Sequence, residues 1–175
     1  MWAIVKKEVK SYFLSPIGYV FIGLFLAMCS VFFYLDIVQY GSLQFENMFY
    51  SASTILTFII PILTMRMFAE ERKVGTEQLL YTSPISLTQI VLGKFIAGLI
   101  VVLATELCTL FYLIILSLFG APHIQTAIVT LLGFFMLSMS YISFGMFASS
   151  ITENQIIAGV ITIRIFHNNM VLTKL

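Results

Sequence analysis

The sequence predicts an all-helical integral membrane protein: an amphipathic helix at the amino terminus, four full transmembrane helices and an incomplete fifth. Of the 175 residues, 60% are hydrophobic and 10% are charged, against roughly 45–50% and roughly 25% in an ordinary soluble domain. Such a chain has too little polar side-chain surface to face water on all sides. The few charges are also segregated, leaving long apolar runs that can cross a hydrocarbon core of about 30 Å at about 1.5 Å per helical residue. Net charge is +1, so the overall balance carries no electrostatic footprint for nucleic acid. The start, Met1-Trp2-Ala3-Ile4-Val5-Lys6-Lys7, lacks a short apolar core with a small-residue cleavage site, and the first span is expected to be retained.

In chain order, Trp2, Val5, Val9, Tyr12 and Phe13 recur at helical spacing over residues 2–14 while Lys7 and Lys10 point away, which predicts an amphipathic helix on the membrane surface. Pro16 ends it or turns it into span one, 17–35. Span two, 49–68, contains Pro61, which removes one backbone donor and predicts a kink. Its helix is expected to run on to residue 74, where Gly75 stops it. Span three, 90–119, follows Ser86 and Gln89, a capping-box pair, and is interrupted only by Lys94 and Glu106. Span four is the uncharged run 124–150, in which Ser138, Gly145 and Ser149 permit close helix contact. Thr152 and Gln155 repeat the capping pattern and open a fifth apolar stretch, 155–163. Arg164, His167, Asn168 and Asn169 cut that stretch short, and residues 164–175 read as an atypical tail, at an interface or left by truncation or a frame shift.

Lysine and arginine set orientation. Lys6, Lys7 and Lys10 precede span one, and Arg66, Arg72, Lys73 and Lys94 lie between spans two and three, whereas 36–48 and 120–125 hold none. Positive charge therefore places the amino terminus and the connection after span two in the cytoplasm. Between them, that connection is charged and then abruptly apolar. Thr76 can cap a short helix beyond Gly75 that carries Leu79, Leu80 and Tyr81, and Ser83-Pro84 ends it. Held between two spans with apolar residues at its tip, segment 70–84 is suited to docking a soluble partner and passing its motion into the membrane. The plainer reading is a loop anchored by basic residues.

Catalytic patterns fail on spacing. A phosphate-binding loop needs a glycine five residues before its Gly-Lys pair so that backbone amides can wrap the phosphates, and Thr88 stands there before Gly93-Lys94. Glu70-Glu71 has glycine at position 75, where a membrane-embedded paired-glutamate protease of the CAAX type carries arginine. His123 and His167 lack ligand partners at helical spacing. Cys29 and Cys108, set in apolar runs, read as buried small hydrophobes. Glu106, beside Thr105 and Thr109, is the one acid in the middle of a span. It is either a hydrogen-bonded packing residue or a group lining a substrate or ion path.

Met65-Arg66, Ala69-Glu70-Glu71-Arg72, Gly75-Thr76, Leu79-Leu80, Ser83-Pro84, Gly93-Lys94 and, later, Ser150, Thr152 and Asn154-Gln155 resemble, in order and spacing, the permease subunits of ABC-2 type ABC transporters. The likeness holds to about Ile163 and is greatest to the gliding-motility and copper-processing permeases. It implies an ABC-2 transmembrane domain over 1–163, an elbow helix at 2–14 and six spans, of which this chain would lack the last one or two. It also implies export across a bacterial cytoplasmic membrane, powered by a separate ATPase subunit that binds ATP and magnesium, and pairing with a second permease. The chain itself would be no enzyme and bind no cofactor. Glu70, Glu71, Arg72, Gly75, Thr76, Glu77, Leu79 and Leu80 would form the coupling region, and Glu106 a possible intramembrane pathway. Two rival readings stay open: a non-transporting scaffold that recruits a soluble protein through 70–84, and a channel or carrier that uses Glu106.

Overall fold

The structure is a computed structural model that describes residues 2–36, 41, 45–75, 86–120 and 123–172. Among these residues there are helices and no strands: α1 (Trp2–Leu14), α2 (Pro16–Tyr34), α3 (Phe45–Thr64), α4 (Ala69–Val74), α5 (Leu87–Phe119), α6 (Ile124–Ile151) and α7 (Gln155–Leu172). Four stretches are long and apolar enough to cross a membrane: Pro16–Tyr34, Phe45–Val74, Leu87–Leu118 and Ile124–Ile151. In α3, apolar or small residues recur on every side of the helix, and it becomes the hub, packed against α2, α5, α6 and α7. Its Phe49, Leu56, Ile60 and Leu63 are almost fully enclosed. Phe49 meets Phe134 of α6 edge-on at 4.8 Å between ring centroids, and Phe25 of α2 closes on Phe134 from the other side at 5.6 Å. Outward faces of α2, α5 and α6 carry exposed Leu, Ile, Val and Phe, the surface that lipid covers.

Span two departs from a single extended helix. Pro61 sits inside α3 without ending it, and the break comes over residues 65–68, before α4. The cause lies on α6. The Ser149 hydroxyl accepts from the amides of Phe68 (3.1 Å) and Ala69 (3.2 Å) and donates to the Met65 carbonyl (3.1 Å), so one side chain satisfies three backbone groups that the interrupted helix leaves open. Gly145, one turn before Ser149, makes the approach possible. A Cβ on it would lie 2.2 Å from the Thr64 hydroxyl oxygen. Ser138, Gly145 and Ser149 are all buried along this seam. Gly75 caps α4 with a φ of 75°, a left-handed conformation that glycine adopts without a Cβ penalty.

Other local readings shift. Ser86 makes no side-chain cap; its hydroxyl pairs with that of Thr88 at 3.0 Å. At α7 the cap is Asn154, whose Oδ1 accepts from the Ile156 amide at 2.9 Å, and Thr152 accepts from the Asn154 amide at 3.2 Å. The helix that follows does not stop at Ile163 but continues to Leu172, because Phe166, beyond Arg164, stacks on Tyr141 of α6 at 4.2 Å. Cys29 is buried as expected of a small hydrophobe, whereas Cys108 is exposed on the outer face of α5.

Candidate functional site

The amino-terminal helix brings the first part of the site. Ile4, Val5 and Tyr12 are buried, with α1 laid against α5 and α2, while Trp2 at its start is 72% exposed. The packed face thus runs through Ile4, Val5, Glu8 and Tyr12 rather than through Trp2. Gly18 lets α2 turn back closely, since a Cβ there would meet the Tyr12 carbonyl oxygen at 2.3 Å. The Tyr12 hydroxyl reaches across to donate to the Leu63 carbonyl at 3.3 Å. Burial raises the Tyr12 phenol well above its ordinary value, and the nearby Glu8 carboxylate raises it further.

Glu8 carries a charge into this apolar face, and its partner comes from α5. Lys94 is 2% exposed, and its Nζ lies 3.3 Å from Glu8 Oε1 and 2.9 Å from Glu71 Oε1 of α4. The Phe68 ring covers the ammonium at 5.3 Å. Lys7 stands 3.9 Å from both carboxylates at the solvent side, so two lysines face two glutamates. Beside them Arg66 pairs with Glu70 and donates to the Ser15 hydroxyl at 3.1 Å, which ties the α3–α4 break to the α1–α2 turn. A buried ammonium persists only when paired and hydrogen-bonded. Here the pairing joins α1, α4 and α5 at one end of the bundle.

Of the eight residues expected to couple, Glu70, Glu71 and Arg72 lie on α4 and Gly75 ends it; Thr76, Glu77, Leu79 and Leu80 lie outside the described residues. Glu71 and Arg72 also border a groove of about 580 Å³ between the ends of α5 and α6, walled by Phe68, Ile90, Phe95 and Met146. Sequence reasoning passed over Glu8 and Lys94 as site residues. The signal was present for both. Glu8 is the only acid before Asp36 and falls between Val5 and Tyr12 on the apolar face, and Lys94 is the only cation in its span.

Glu106 lies elsewhere, twelve residues and about 18 Å further along α5. It is 5% exposed and its Oε1 is enclosed without a hydrogen-bond partner. Neither neighbouring threonine supplies one: Thr105 donates to the Val101 carbonyl at 2.8 Å and Thr109 to the Glu106 backbone carbonyl at 2.6 Å. Among the described residues no group of three or more His, Cys, Asp or Glu is placed to hold a metal ion.

Four membrane-length helices gathered on α3, with a buried ionic joint at one end, define a polytopic all-helical membrane domain. A family model described as ABC-2 family transporter protein matches residues 35–167, more than half of the chain and four residues past Ile163. The chain belongs to that family and is a membrane component of an ABC transporter. Comparison with curated proteins and with solved structures gave no match.

Proposed function

We propose that this chain is a permease subunit that exports its substrate across a bacterial cytoplasmic membrane, with its amino terminus inside, and that a separate ATPase subunit drives it through segment 70–84. Within the family we assign it to the gliding-motility and copper-processing type of permease, on the motifs quoted above. One observation carries the coupling: Lys94 is buried between Glu8 of α1 and Glu71 of α4. A push on the 70–84 segment reaches α4 first. From there the Glu71–Lys94 contact passes it to α5, Glu8 passes it to the elbow helix, and the Arg66–Ser15 bond passes it to the start of α2. ATP and magnesium belong to the partner, and two such permeases face each other across the transport path.

The test is reconstitution with a nucleotide-binding ABC ATPase subunit from the same organism. The expected result is co-purification and an ATPase rate that depends on the permease. Leu79→Asp with Leu80→Asp should abolish association, whereas Lys94→Met should leave association intact and remove most of the stimulation. An ATPase indifferent to this chain and to all three substitutions would return the scaffold reading to first place.

A further inference from the structure

Glu106 is set between two cavities. On the inner side, about 10 Å³ is enclosed by Phe21, Phe25, Leu56, Val102 and Phe134. On the outer side a pocket of about 130 Å³ lies between α5 and α6, walled by Leu103, Leu107, Leu110, Leu131, Leu132 and Phe135, with Glu106 the only ionisable residue in its lining among the described residues. Leu103, Leu107 and Leu132 are exposed on the outer faces of their helices, so this pocket opens on the outer surface of the bundle. The Glu106 Oε1 atom is sealed beneath this wall of leucine and phenylalanine without a hydrogen-bond partner, which is costly, and a group that brings its own donors would satisfy it once the wall parts to admit it.

We infer that the Glu106 pocket binds a lipophilic amine that enters sideways from the bilayer between α5 and α6. An alkylammonium offers three N–H donors and a positive charge to the carboxylate, and its first methylenes fill the leucine-lined pocket while the rest of the tail stays in lipid. An anion would meet the carboxylate charge, and an alcohol would bring one donor and no charge. A metal ion would find a single carboxylate, since among the described residues no group of three or more His, Cys, Asp or Glu is gathered there. Lys94 cannot serve as internal counter-ion, because it is held by Glu8 and Glu71 near the start of the helix, about 18 Å away. The inference rests on the transport reading for its consequence, that the amine is cargo, but binding is tested without an ATPase, so its failure leaves the coupling reading standing.

The full chain in phosphatidylcholine nanodiscs is irradiated with a primary alkylamine that carries a diazirine, and in parallel with the alcohol of the same length, and adducts are located by peptide mass spectrometry. The amine should label residues 103–110 and 131–135 at least tenfold more than the alcohol, and dodecylamine should compete where dodecanol does not. Glu106→Gln should bring amine labelling down to the alcohol level. Leu131→Trp, which fills the pocket and keeps the carboxyl, should abolish labelling by both. Equal labelling by amine and alcohol, or labelling of Glu106→Gln equal to that of the unaltered chain, overturns the inference.

Discussion

Lys94 illustrates how much one side chain can carry in a bundle of this kind. Its ammonium is buried against two carboxylates that are themselves mostly covered, so removing it leaves Glu8 and Glu71 with the longer 3.9 Å approach of the solvent-side Lys7 in place of the buried ammonium. Loss of one partner from a buried pair costs about 3–5 kcal/mol. Lys94→Met should therefore lower the thermal unfolding temperature of the detergent-purified chain markedly. Lys94→Met combined with Glu71→Gln should lose less than the sum of the two single changes, because the two residues are coupled; strict additivity would deny the ion pair its structural role. Tyr12 gives a pH test. Its phenol is raised by burial and by Glu8, so the folded chain holds that proton where an unfolded chain releases it, above about pH 10. Stability from this group is complete below that pH and declines as pH rises through it. Melting measured from pH 9 to 11 should fall more steeply for the unaltered chain than for Tyr12→Phe, and identical slopes would contradict it.

At the level of elements, the joint between α3 and α4 is the feature that composition hides. Helix propensity and hydropathy favour one helix through residue 74, and Pro61 would be the natural place for a fault. The fault falls four residues later because Ser149 supplies an alternative set of hydrogen bonds there and Gly145 lets α6 approach the end of α3. Ser149→Ala leaves buried backbone groups without partners, at about 1–3 kcal/mol, and Gly145→Ala forces a methyl against Thr64, at roughly 1–3 kcal/mol. Both should reduce the melting temperature, while Ser143→Ala, whose hydroxyl is exposed and bonds only to the Met139 carbonyl, should leave it nearly unchanged. A Ser149→Ala chain as stable as the unaltered one would mean that the break is held by something else. The seventh helix makes a related point. Its polar residues Arg164 to Asn169 ended the apolar run in the sequence, yet a helix tolerates polar residues when an apolar neighbour such as Phe166 finds an aromatic ring to stack on.

For the whole molecule, the arrangement of charge follows from the membrane. The structure collects the Lys7, Glu8, Arg66, Glu70, Glu71 and Lys94 side chains at one end, in keeping with the sidedness that the lysine and arginine count predicts. In a background with Cys29→Ser and Cys108→Ser, a cysteine at Lys10 should react with a membrane-impermeant maleimide only after the cytoplasmic side is opened. A cysteine at Gly41 should react from outside in intact cells. The reverse pattern would invert the orientation and, with it, the side on which the proposed ATPase subunit would dock.

The number of membrane-length helices and the ABC-2 family could both be read from sequence, because a bilayer imposes length and apolarity on each span separately and the motifs lie in contiguous stretches. Glu106 was also legible, since any acid amid uncharged residues stands out. What no single segment contains is partnership. That Lys94, 86 residues from Glu8, is shared by Glu8 and Glu71, that Ser149 breaks a helix it does not belong to, and that the Oε1 of Glu106 is enclosed without a hydrogen-bond partner are all products of packing. An ion pair or an unsatisfied carboxyl is a relation between helices, and only the tertiary structure decides which side chains are near enough to satisfy each other once water is gone.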